Sequence, residues 1–434
     1  MFQPKEIKSA VSEGPLPKRA LSAHSAVGIA IAAVLYVITF SGIVSVLKDE
    51  LYLWEQQGEP QMYELLPVAA QASALNGFEK DLETKHLFIH MPTEKNPRAI
   101  VETDNEETHV DQAGELSVDV HHPWIDFIID LHYYLHLPKS FGMTVVAIFG
   151  VFLFGMSITG LLAHPNIFKD AFAFRRSKSE QIKNVDLHNR LSVWTAPFHI
   201  SNSLSGAMIG LATLSALAVG TLKYEGDFGA VFEPVFGSEP TPDEAKAPMA
   251  NIEKALLYME KNYPDKPVIY VILHDPRTVG QYLQIMAEHP RRLIYAEKYN
   301  FNGAGEFIGT VGSADGYIGQ QVADSVYKVH FGAFGGMLVK LAFIGFGISL
   351  LYIIAAGMKI YFIKRRAKGK ASSKLEGAWR GVLVGVPLLL MVTAVQAIVL
   401  PASTASLGMV FWLGCGFTVI GTMVIFQFRE KRQF

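Results

Sequence analysis

Six apolar stretches, each about twenty residues long, leave this chain of 434 residues few folds to choose from. They run over 21–47, 141–163, 191–222, 337–363, 381–400 and 406–427. A helix of ~20 residues crosses the ~30 Å hydrocarbon core of a bilayer. Lipid offers no hydrogen-bond partners to an open backbone, so each stretch must close its own ladder as an α-helix. The expectation is an α-helical integral membrane protein with six spans. The first stretch is longer than the usual core of about 7–15 residues in a cleavable signal peptide, and a polar arm precedes it. It is read as a retained anchor in contact with membrane lipid.

Lysine and arginine set the orientation. Residues 1–20 carry Lys5, Lys8, Lys18 and Arg19, and the link 164–190 carries Lys169, Arg175, Arg176, Lys178 and Lys183. The link 364–380 carries Lys364, Arg365, Arg366, Lys368, Lys370 and Lys374, and the tail has Arg429, Lys431 and Arg432. The link 401–405 has no charge. The positive-inside rule then puts both termini in the cytoplasm and the long segments 48–140 and 223–336 outside it. A net charge of −2 gives no reason to expect nucleic-acid binding. The one cysteine, Cys415, rules out a disulfide within the chain, a covalent haem motif and an iron–sulfur framework. It reads as a small apolar residue of the last span.

The two outer segments share a plan. In the second, 252–263 has the apolar spacing of a helix, 267–273 and 282–287 read as strands, and 299–311 as a hairpin. In the first, 68–75 is the helix, 86–90 and 99–102 the strands, and 108–118 the closing element. Both closing elements contain D/N-x-x-G-E, at Asp111–Glu115 and Asn302–Glu306, which places a glycine in a turn. This repetition predicts a duplicated helix–insert–helix unit giving a four-helix core, two small α+β domains, and two extra C-terminal helices. Small residues near the exits of the first three spans, at Gly42, Gly160 and Gly220, are expected to allow close helix approach.

Four histidines mark the entrances of the first four spans: His24, His132, His188 and His330. Topology sorts them into an inner pair, His24 and His188, and an outer pair, His132 and His330. Ionisable groups at membrane depth are costly and usually functional. Two imidazoles leave a haem iron six-coordinate and suited to electron transfer. The pairs are therefore candidate axial ligands for two non-covalent b-type haems. The plain alternative is that each histidine anchors a helix end. His199, eleven residues after His188, reads equally as a core histidine and as a ligand or proton-path residue. His136 lies one turn from His132 and could replace it, and His164 could substitute for an inner ligand, although a helix-end role suits it better. Met143 and Met156 read as packing, His121 and His122 as loop residues, and Lys340 and Lys359 as side chains that snorkel to the interfaces. The spans contain almost no carboxylates, which argues against a di-metal site or a proton-coupled transporter.

Residues 23–28 (AHSAVG), 131–135 (LHYYL), 187–194 (LHNRLSVW) and 330–336 (HFGAFGG) resemble motifs of the PepSY-associated transmembrane family. That family includes haem-containing ferric-siderophore reductases of the bacterial inner membrane. The resemblance covers about 18–366, and the chain departs from it at Ser25 and in the two C-terminal spans. It implies PepSY-type periplasmic domains and a redox role. An electron would pass from the His24/His188 haem to the His132/His330 haem and reduce iron held by a siderophore, releasing it as Fe²⁺. No G-x-G-x-x-G dinucleotide fingerprint opens a βα unit, so the donor would be a quinol or a cytoplasmic reductase. Trp124, Tyr133, Tyr134 and Phe331 would shield the outer haem or pack at the surface. The competing class is non-enzymatic, in which the inserts bind a periplasmic protein or peptide and the spans serve as anchor or sensor.

Overall fold

The computed structural model describes residues 16–431 except 57, 60, 164–167, 169–170, 173–178, 228, 238–240, 290–292 and 313–314. His164, Lys5, Lys8, Lys169, Arg175, Arg176, Lys178 and Arg432 therefore lie outside the described residues. In chain order the helices are α1 (Leu16–Ser45), α2 (Lys48–Glu55), α3 (Pro67–Lys80), α4 (Pro123–Tyr134) and α5 (Lys139–Ala163). Next come α6 (Glu180–Trp194), α7 (Ala196–Gly210), α8 (Ala212–Lys223), α9 (Gly229–Phe236) and α10 (Ile252–Asn262). The last four are α11 (Ile318–Phe331), α12 (Gly336–Ala367), α13 (Ser373–Val399) and α14 (Thr404–Lys431).

The chain divides into two units. One, helical, comprises Met1–Ser45, Phe127–Gly210 and Leu341–Phe434. The other contains Val46–Asp126 and Leu211–Lys340 and carries the strands. Among the described residues, five helices are long and apolar enough to cross a membrane, or six if α7 and α8 count as one broken span. This is a multi-pass helical membrane protein.

The third predicted span is where the helices differ from expectation. Instead of one helix over 191–222, the chain breaks at Thr195 and again at Leu211. Pro197 accounts for the first break. It has no N–H to give, and its ring clashes with the carbonyl four residues back, so a helix restarts at it rather than running through it. Gly210, a weak helix former, precedes the second. It also lies against α5, where a Cβ would come within 2.7 Å of the Ala147 Cβ.

The two C-terminal helices form a tight hairpin. Gly377, Gly381 and Gly385 recur every four residues along α13 and face α14. A Cβ on Gly377 would lie 2.7 Å from the Met423 Cα, and one on Gly381 would lie 2.5 Å from the Val419 Cα. Such small-x-x-x-small spacing lets helix backbones approach where lipid provides no hydrophobic drive. Trp379 of α13 packs edge-on against Tyr36 of α1, with ring centroids 5.9 Å apart.

In the second unit the inserts do not form two separate domains. They share one eight-stranded antiparallel sheet, ordered β4-β3-β2-β1-β5-β6-β7-β8. The strands are β1 (His86–His90), β2 (Ala99–Glu102), β3 (Glu107–Val110), β4 (Leu116–Asp119), β5 (Val268–His274), β6 (Tyr282–Ala287), β7 (Glu297–Asn302) and β8 (Phe307–Val311). The halves join where β1 pairs with β5, in a register centred on Phe88 opposite Ile272. Pairing the two halves gives β1 and β5 a partner on both sides, so neither is left as an exposed edge. Helices α3 and α10 cover one face. The core beneath them includes Leu87, Ile89, Val101, Leu256, Met259, Leu273, Leu283 and Phe301.

The two D/N-x-x-G-E turns match in detail. Asp111 Oδ1 accepts from the Ala113 and Glu115 N–H groups, and Asn302 Oδ1 accepts from those of Ala304 and Glu306. Gly114 and Gly305 have φ of 88° and 71°, a region that disfavours side chains. Each glycine also lies against helix-side backbone, at Ala69 and Asn251 respectively. Two further contacts knit this unit. The Glu55 carboxylate accepts from the Trp124 and Ile125 N–H groups at 2.9 and 3.0 Å, satisfying open donors at the start of α4. Lys340, expected to snorkel, is instead 7% exposed and donates to Asp49 at 3.0 Å and to Glu50 at 2.8 Å. A buried ammonium needs such partners more than it needs an interface. Lys359, by contrast, is well exposed and meets Glu180 at 2.8 Å.

Candidate functional site: paired histidines in the helical unit

The helical unit brings His24 of α1 and His188 of α6 together. Their ring centroids are 6.1 Å apart and their planes stand at 81°. His24 Nδ1 is 3.0 Å from the Met156 carbonyl of α5, and His188 Nδ1 is 2.9 Å from the Ile353 carbonyl of α12. His132 repeats the arrangement, with Nδ1 2.9 Å from the Ile38 carbonyl of α1.

A carbonyl oxygen can only accept, so each of these Nδ1 atoms must carry the proton. The neutral ring then presents its lone pair at Nε2. This is the tautomer of a histidine ligand whose other nitrogen is held by a backbone acceptor. Two imidazole nitrogens each about 2 Å from a shared metal put their ring centroids about 6 Å apart. The separation of His24 and His188 fits that requirement. Among the described residues no group of three or more His, Cys, Asp and Glu side chains gathers, so a pair of imidazoles is what the helices offer.

The remaining histidines sort differently. His136 was read as a possible replacement for His132, but both its ring nitrogens are engaged. Nε2 donates to the Phe127 carbonyl at 2.9 Å, and Nδ1 accepts from the Trp412 indole N–H at 3.0 Å. It sits in left-handed backbone, with φ of 56°, and stacks on Phe127. Its lone pair is spent on Trp412, so it ties α14 to the α4–α5 corner and has none left for iron.

His199 is 4% exposed, and its Nε2 lies 2.7 Å from the Thr195 hydroxyl. That hydroxyl gives its own proton to the Leu191 carbonyl, so the ring donates from Nε2. His199 thus has the opposite tautomer to His24 and His188, and its Nδ1 has no hydrogen-bond partner. The ring is thus bonded to Thr195, in the break that precedes α7. The Met156 side chain packs against Gly28, which supports its reading as packing.

His330 belongs to the other unit, in the last turn of α11, which Gly332 closes with φ of 65°. It is half-buried beside Phe331. Lys48 lies over the Phe331 ring at 5.7 Å. Tyr133 packs near His132 and Tyr134 near Tyr133. Trp124 meets Trp54 edge-on at 6.3 Å.

His121 is exposed, whereas His122, read as a loop residue, is 7% exposed against the Tyr52 ring, with Nδ1 unpartnered. Burial first, then the neighbouring His109 and Arg98, lowers its pKa to about 4. An unfolded chain takes up the proton near pH 6.5, so between pH 6.5 and 4 the unfolded state binds more protons than the folded one. The contribution of His122 to stability is therefore complete above pH 6.5 and declines as pH falls towards 4. Thermal unfolding followed over this range should show a shallower acid loss in His122→Asn than in the parent. Parallel curves would refute this assignment.

Sequence reasoning missed the backbone acceptors Met156, Ile38 and Ile353, because carbonyls leave no residue-type signal. It also missed Trp412, which looks like any aromatic of an apolar span.

The family profile described as "PepSY-associated TM region" matches residues 21–365. The chain belongs to this family. A Pseudomonas aeruginosa protein described as "Uncharacterized protein PA4219" is 28% identical over 129 residues, a match covering 30% of this chain and 32% of that protein. The match therefore spans about a third of the curated relative, whose description assigns no activity.

Proposed function

We propose that this protein is a di-haem electron carrier of the bacterial inner membrane, with both termini cytoplasmic, that reduces ferric siderophore iron in the periplasm. The observation that carries the reading is the His24–His188 pair, 6.1 Å apart with both Nδ1 atoms bonded to backbone carbonyls. His24 and His188 would hold the inner haem, and His132 would serve as a ligand of the outer one. Each haem would supply a one-electron Fe³⁺/Fe²⁺ couple, which no amino-acid side chain here offers.

The protein's own part is to hold and orient. The Met156 and Ile353 carbonyls fix the tautomer and azimuth of the inner rings, which keeps reorganisation small. The eight-stranded sheet would lie in the periplasm as a duplicated PepSY-type unit and receive the chelated iron. A quinol or cytoplasmic reductase would donate the electron, and loss of charge on reduction would weaken the hold of hard oxygen chelators on iron.

Full-length protein purified from haem-sufficient cells should show a b-type Soret band that shifts on dithionite reduction. The reduced protein should reoxidise when a ferric hydroxamate chelate is added. A folded, colourless preparation would sink the reading and leave the sheet as a binding module on a membrane anchor.

A further inference from the structure

Gly42 and Gly160 stood out in the sequence as small residues near span exits, expected to let helices approach. What a side chain there would meet is imidazole. A Cβ on Gly42 would lie 2.7 Å from the His132 Cε1 and 3.0 Å from its Nδ1. One on Gly160 would lie 3.2 Å from the His24 Cε1, and one on Gly357 would lie 3.4 Å from the His188 Cε1. In all three cases the glycine stands four residues after the carbonyl that accepts the Nδ1 proton: Ile38, Met156 and Ile353.

We infer that Gly42 and Gly160 are positioning residues that open the path of His132 and His24 to a helix carbonyl and so lock each ring's tautomer and azimuth. The physical reason lies in helix geometry. The carbonyl of residue i already accepts from the N–H of residue i+4, leaving one lone pair facing outward. Side chains lean towards the helix N-terminus, so the side chain of residue i+4 lies over that same turn. At positions 42 and 160 a Cβ would crowd the imidazole that arrives from another helix, whereas at 357 it would reach only ordinary van der Waals contact. Gly155 provides the contrast, because on the same helix as Gly160 it has open space where a Cβ would go.

What the fixed ring is for rests on the haem reading above; the hydrogen-bond geometry does not. Losing the carbonyl bond makes the ligand less basic, which destabilises the ferric form and should raise the midpoint potential. Rings near 81° should also give ferric protein a strongly anisotropic low-spin electron paramagnetic resonance signal.

The test compares full-length G160A and G42A with G357A and G155A as controls. Potentiometry and paramagnetic resonance are run on haem-loaded protein, and selective ¹⁵N-histidine NMR on haem-depleted protein. The expected result is an upward potential shift, an altered signal and a mixed histidine tautomer, larger in G42A than in G160A, with G357A and G155A unchanged. A G160A protein with parental potential, signal and tautomer overturns the inference. If G42A does not fold, G160A still decides, because its Cβ stops 3.2 Å from the His24 Cε1. A parent that binds no haem overturns the haem reading alone. The ¹⁵N spectrum then decides for the glycines if the His24 tautomer becomes mixed in G160A, and against them if it does not.

Discussion

His188→Ala is expected to remove about half of the haem bound per chain, because one of the two proposed haem sites would lose a ligand. His188 is the candidate ligand to test first because its environment is the most completely described. Its Nδ1 proton is fixed by Ile353, its neighbour is His24 at 6.1 Å, and Gly357 lies beside its Cε1. Alanine leaves His24 alone, and one imidazole would not be enough to retain a non-covalent haem through purification. Haem per protein by pyridine haemochrome assay should fall, and reoxidation by a ferric chelate should be lost. His199→Ala should keep the full haem content, since its ring is bonded to Thr195 and presents the other tautomer. Full haem content in His188→Ala would remove the inner site from the proposal.

Gly381→Leu is expected to destabilise the C-terminal hairpin by at least about 3 kcal/mol, at or beyond the usual range for overpacking. The reason is what the new side chain meets. The first carbon alone would stand 2.5 Å from the Val419 Cα and 2.6 Å from the Thr422 Oγ1. Backbone cannot swing aside as the tip of a flexible side chain can, so the two helices must separate. Separation also works against the Trp412–His136 hydrogen bond that ties α14 to the rest of the unit. Thermal unfolding in detergent, followed by size-exclusion chromatography, should show a lower midpoint. Gly421→Leu, at a position with open space, should change it little. Equal midpoints for the two variants would disprove this account of the hairpin.

Much of the architecture was legible in the sequence because it follows from periodicity and composition. The strands at 86–90, 99–102 and 282–287 lie where alternation placed them, and so does the helix over 252–262. Hydropathy placed the membrane helices and missed the two breaks in the third span, although Pro197 marked the first. The joining of the two inserts could not be read, because strand pairing across nearly two hundred residues leaves no local signature. Lys340 was misread for the same reason: its partners Asp49 and Glu50 lie almost three hundred positions away.

The candidate site divides along the same line. Sequence alone singled out the histidines that flank the apolar stretches, since hydropathy makes any ionisable residue near a span conspicuous. The structure places His132 and His330 in the last turns of α4 and α11 and His188 within α6. Sequence also paired His24 with His188 through charge-based topology, and the structure brings those two together. Only the tertiary structure distinguished histidines that face a carbonyl through Nδ1 from those, like His136 and His199, that donate through Nε2. Residue type fixes that a ring can hold one proton, but the acceptor on a neighbouring helix decides which nitrogen keeps it.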